Sequence, residues 1–73
     1  MNKYLVPICD IQAGSVYNKI IIAKSLIECQ DKLVQYLIEK YDDLYECLTY
    51  HEFIELADKN DILVGNITDI ETI

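Results

Sequence analysis

The chain has no arginine and no tryptophan, one proline, two glycines and one histidine among its 73 residues, and each scarcity closes off a class of function. Without arginine there is no planar, bidentate grip on phosphate or guanine. The six lysines are scattered, whereas counterion release from nucleic acid needs basic residues in clusters. Gly14 and Gly65 lie in separate segments, so no glycine-rich loop can cradle a nucleotide phosphate. Apolar runs are short: the longest, Ile20 to Ala23, cannot cross a bilayer, and residues 1–4 do not begin a signal peptide. Cys9, Cys29 and Cys47 are odd in number and widely spaced, unlike the disulfide framework of a small secreted domain. A reducing cytoplasm is the expected address, with each thiol acting as a small buried hydrophobe.

What is present is enough to fold. Hydrophobic residues make up 52% of the chain, which excludes a disordered reading and suits a single domain over residues 1–73. A domain this small buries only about 60% of its unfolded surface, so self-association would help it. The formal charge is −7, and its placement matters more than its sum. Residues 1–36 hold Lys3, Lys19, Lys24 and Lys32 against Asp10, Glu28 and Asp31, a net +1, whereas residues 37–73 set ten carboxylates against Lys40 and Lys59, a net −8. The negative field therefore belongs to the second half and opposes direct contact with nucleic acid.

Strand formers fill residues 3–11 and again 16–24, joined by the small polar connection Gln12–Ser15, which reads as a β-hairpin. Pro7 cannot donate to a ladder, so the first strand is expected at a sheet edge with its proline nitrogen facing away from its neighbour. Ile20, Ile21 and Ile22 put apolar groups on both faces of the second strand, the pattern of a central strand. Ser25 and Glu28 have the spacing of a capping box. The apolar residues Leu26, Ile27, Cys29, Leu33, Val34, Leu37, Ile38 and Tyr41 then recur at helical spacing, predicting a helix over 26–41. Thr49 and Glu52 repeat the cap ahead of a shorter helix built on Phe53, Ile54, Leu56 and Ala57, with Asn60 as its C-terminal cap. Residues 42–48 fit either an extension of the first helix or a turn. Residues 61–67 read as a third strand, and 68–73 as a short tail with room for one helical turn.

The expected class is thus α+β in the order ββααβ, a three-stranded antiparallel sheet of order 1-2-3 with both helices on one face. The other face is left for water, a subunit or a target, and large apolar residues there would mark a contact surface.

Chemistry-bearing constellations are thin. Cys47 and His51 lack the second ligand pair that zinc needs, so no metal site is expected. Cys47, His51 and Glu55 climb a helix at about 6 Å per step, which does not converge on a catalytic line, and neither an enzyme nor a cofactor is expected. Six tyrosines against one phenylalanine is the stronger signal. Tyr36, Tyr41, Tyr45 and Tyr50 interleave with Glu39, Asp42, Asp43, Glu46 and Glu52; the ordinary reading is the rim of a small core, the alternative a contact surface. Glu52, Glu55 and Asp58 fall on one side of the second helix, and Glu39, Asp43 and Glu46 would make another row if the first helix continued. Such rows ordinarily keep a protein soluble; they can also imitate phosphates before a basic groove.

With its arginine-free acidity and the stretch from Glu39 to Asp61, the chain resembles in kind the small acidic inhibitors of phages and mobile elements, anti-CRISPR proteins and DNA mimics among them. That resemblance, carried by about a third of the chain, implies stoichiometric, non-catalytic inhibition of a basic nucleic-acid-handling protein in the host cytoplasm. The residues expected to bind the partner are Glu39, Asp42, Asp43, Tyr45, Glu46, Tyr50, Glu52, Glu55 and Asp58. The competing expectation is a structural protein that forms a homodimer through the open sheet face or the edge of the first strand.

Overall fold

The computed structural model describes residues 1–73. Two nine-residue strands come first, β1 over Asn2–Asp10 and β2 over Ser15–Ala23, paired antiparallel along their whole length. The turn between them closes on Gly14, whose φ of +67° suits a residue without Cβ, while Asp10 Oδ1 accepts from the Ala13 amide at 3.2 Å. Helix α1 spans Leu26–Lys40 and α2 spans Tyr50–Lys59. They are followed by β3 at Ile62–Val64 and β4 at Thr68–Thr72.

The helix starts are set by their caps. The Ser25 hydroxyl accepts from the Glu28 amide at 3.2 Å, and the Thr49 hydroxyl accepts from the Glu52 amide at 3.1 Å. The returning half of the box differs from expectation. Glu28 turns to Lys32 at 3.3 Å, and Glu52 takes the Thr49 hydroxyl hydrogen at 3.0 Å. Asn60 does cap α2, but with φ −101°; the left-handed position falls one residue later, on Asp61 at φ 63°.

The class is α+β and the sheet antiparallel, as expected, but the strand order is β2-β1-β3, with β4 also on β1. The expected order 1-2-3 with β1 at an edge is therefore corrected: β1 is central and β2 is the edge. The proline rule was satisfied in another way. The Pro7 carbonyl accepts from the Gly65 amide at 2.8 Å, so the odd residues of β1 face β3 and β4. β3 pairs only with residues 8–10 of β1 and β4 only with 2–5. The missing Pro7 donor thus points at Gly65, just past the last residue of β3, so the one bond forgone is the outermost of a short ladder. The tail is corrected too: residues 68–72 are a strand held by backbone bonds to β1, all of their side chains exposed.

Thirteen buried residues form one core. Tyr4, Val6 and Ile8 of β1 and Ile21 and Ala23 of β2 meet Cys29, Leu33, Val34 and Leu37 of α1 and Phe53 and Ala57 of α2. Leu44 and Ile62 complete it, and both helices lie on one face of the sheet. The alternation is strict along β1, where even residues point inward and odd ones are half-buried. The opposite face has no helix over it, and Val16 (77% exposed), Ile20, Ile22 and Leu63 stand on it. Cys29 alone of the three thiols is fully buried; Cys9 and Cys47 are half-buried. No helix is long and apolar enough to cross a membrane.

Candidate functional site

The expected acidic face is present on α2 and absent from α1. Glu52, Glu55 and Asp58 share the exposed side of α2, where they alternate with His51 and Lys59, and Glu55 Oε1 pairs with His51 Nε2 at 3.0 Å. The second row does not form, because α1 ends at Lys40: Tyr41 takes an extended conformation (φ −122°) while its amide still donates to the Leu37 carbonyl. Residues 42–48 do not extend the helix; they open with a turn at Asp42 and Asp43, where the Leu44 amide donates to the Tyr41 carbonyl at 3.2 Å. They run irregularly past the core, anchored by buried Leu44, with Glu46 accepting from Gln35 Nε2 at 3.4 Å. Glu39, Asp42, Asp43 and Glu46 are consequently exposed as separate charges rather than as a ladder.

The tyrosines also divide. Tyr45 is 62% exposed, while Tyr50 packs against the core, and burial, followed by the charge Cys29 carries when ionised, pushes its phenol up to about 12. Tyr36 and Tyr41 join Tyr17 of β2, a residue outside the expected set. The Tyr17 hydroxyl lies 3.2 Å from that of Tyr41 and 3.4 Å from that of Tyr36, and Lys40 Nζ donates to Tyr36 at 3.3 Å. Lys40 stands 4.2 Å above the Tyr17 ring and Lys19 4.4 Å above the Tyr36 ring, distances at which a cation is attracted to an aromatic face. Burial alone would raise the Tyr17 phenol. The hydrogen bonds of Tyr36, Tyr41 and Lys40, together with the Lys40 charge, outweigh it and hold Tyr17 below its ordinary value. Tyr41 moves the other way, raised by burial first and then by Tyr17 and Asp10. Alternation along β2 was the signal for this cluster, since it puts Tyr17, Lys19 and Ile21 on the helix side.

Alongside this cluster a groove of about 450 Å³ runs between β2 and α1. Its strand wall is Lys19, Ile20 and Ile21; its helix wall is Glu28, Asp31, Lys32, Gln35, Tyr36 and Glu39. The two elements run antiparallel beside each other. Lys32 Nζ donates to the Ile22 carbonyl at 2.7 Å, Lys19 sits over Tyr36, and Tyr17 meets Tyr41, so β2 positions descend as α1 positions rise. On β1 the odd residues face β3 and β4, so their opposite numbers on β2, Val16, Asn18, Ile20 and Ile22, turn their amides and carbonyls outward. Only the Ile22 carbonyl among them has a side-chain partner, Lys32. A second depression of about 440 Å³, lined by Leu26, Tyr50, Ile54 and Ile67 among others, lies between the helix starts and the β3–β4 connection.

No three of the His, Cys, Asp and Glu side chains converge in a metal-holding arrangement. His51 is exposed, and the Cys47 thiol points to the Tyr45 carbonyl at 3.8 Å. Compared with family models, curated proteins and solved structures, the chain matches none.

Proposed function

We propose that this is a non-catalytic binding protein whose acidic C-terminal half occupies a basic groove on a nucleic-acid-handling protein or complex, as small phage inhibitors of the anti-CRISPR type do. One observation carries the reading. Glu39, Asp42, Asp43, Glu46, Glu52, Glu55 and Asp58 are all exposed, and none is paired with a lysine; Glu55 alone meets His51, a contact that is an ion pair only when the imidazole is protonated. Carboxylates left unneutralised at this density generate a field that speeds encounter with a basic surface and repels nucleic acid. Tyr45 adds an exposed aromatic body among them, suited to the centre of such a contact.

The test is capture of the partner from the native host, followed by affinity measurement with Glu52→Lys, Glu55→Lys and Asp58→Lys combined. Binding should be abolished with the far-UV spectrum unchanged, and wild-type affinity should fall steeply as salt is raised. Binding that survives the triple reversal removes the reading.

The open face of the sheet supports a second reading, a homo-oligomeric assembly protein, because Val16, Ile20, Ile22 and Leu63 stand exposed there. Sedimentation decides it: a chain still monomeric at high micromolar concentration is not such a protein.

A further inference from the structure

We infer that the groove between β2 and α1 is a strand-addition site for an extended segment of a partner protein in which basic and apolar residues alternate. The inference goes beyond the acidic-face reading, and it can fail separately because it depends on the β2 edge and Asp31, which lie outside that set, and shares only Glu39 with it.

Three observations carry it. The β2 edge offers nine residues in regular extended conformation, with the outward backbone groups of Val16, Asn18 and Ile20 free to accept another strand. The helix wall beside that edge is acidic where it is free. Glu28 is paired with Lys32, and Lys19 is held over the Tyr36 ring with its charge intact; Asp31 and Glu39 remain exposed carboxylates with no ion-pair partner, and three carboxylates against two ammoniums leave the groove net negative. Finally, the spacings agree. Asp31, Gln35 and Glu39 recur along α1 at about 6 Å per step, and alternate side chains of an extended strand recur at about 6.8 Å. A strand added to β2 would present every second side chain to this row, and the others would extend the apolar face carrying Val16, Ile20 and Ile22. Basic residues suit the first set and apolar residues the second.

A second copy of the chain fits the same edge less well. Pairing β2 with its symmetry mate would bring two α1 helices, each with Asp31 and Glu39 unpaired, toward the same seam, and like charges would oppose it.

The probe is a capped heptapeptide alternating lysine and valine, titrated into the intact chain while backbone amide shifts and affinity are followed. Amides of residues 16–22 should respond first. Only alternate amides of an added strand face β2, so of two N-methylated peptides, one methylated on its lysine amides and one on its valine amides, one should lose about tenfold in affinity and the other none. Asp31→Lys with Glu39→Lys, both exposed and so harmless to folding, should weaken the parent peptide by about tenfold. Equal affinity of the two methylated peptides, responses confined to other surfaces, or a dimer that itself seals β2 would each overturn the proposal.

Discussion

The two edges of the sheet are built on opposite plans. On one side β2 runs unbroken for nine residues with Lys19 as its only charge. On the other side the edge is split between three-residue β3 and five-residue β4, interrupted at Gly65 and carrying Asp69 and Glu71. A broken, charged edge resists pairing with other chains, and a long, nearly neutral one invites it. The difference identifies β2 as the edge left available, and Lys32, reaching over to the Ile22 carbonyl, as a partial cover at one end of it.

The comparison can be broken most completely through the core that both edges share. Phe53 is fully buried, and Phe53→Ala should cost about 3–5 kcal/mol in denaturant unfolding, with hydrogen-exchange protection lost from both edges together. Loss from one edge alone would show that they are separate units. Next comes the interruption itself. A Cβ on Gly65 would sit 2.6 Å from Pro7 Cγ, so Gly65→Ala should cost about 1–3 kcal/mol and loosen β3 and β4 while the β1–β2 amides stay protected. The orientation of β2 gives a finer test. The Lys19 backbone N–H faces β1 and that of Ile20 faces outward, so Lys19→Pro should be more damaging than Ile20→Pro by about 1 kcal/mol, the worth of one ladder bond. Equal costs would mean that the outward register is misassigned.

The smallest effect lies in the phenols. Absorbance titration should show Tyr17 ionising below the ordinary range and Tyr41 and Tyr50 above it, and Tyr17→Phe should delete the early component. The sign for stability follows from Tyr50, whose folded pKa is raised. Its contribution is complete below about 10, the unfolded value, and is lost as pH climbs toward about 12. Tyr17, whose folded pKa is lowered, contributes in the opposite direction, its share being lost as pH falls through its folded value.

The helices were legible because Ser25 and Thr49 announce their starts locally and because an apolar stripe needs no knowledge of the rest of the chain. The hairpin was legible for the same reason. Sheet order was not, since Pro7 constrains which way a nitrogen points and says nothing about whether the neighbour on that side is continuous. The triplet Ile20–Ile22 misled in turn, because its outward members serve an uncovered sheet face and not a central position. Residues 68–72 gave no strand signal because every side chain there is exposed and the strand is held by backbone bonds to β1, with the exposed Lys3–Glu71 pair beside them. Of the binding residues read from the chain, the α2 carboxylates do share a face. Glu39, Asp43 and Glu46 do not, since that row depended on a helix that stops at Lys40. The groove beside β2 depends on which strand lies at the edge, and no local pattern could disclose it.

Pro7 and Gly65 are fifty-eight positions apart, yet each decides what the other can become. While the pyrrolidine ring is in place, a methyl group at position 65 costs about 1–3 kcal/mol of crowding against it, so a lineage that changes 65 does better to give up the ring at 7 first. Pro7→Ala followed by Gly65→Ala is a passable route, and the reverse order crosses a valley. The junction between β3 and β4 thus carries a history-dependent constraint, visible as strong non-additivity in a two-site cycle, where neither change made alone foretells the pair.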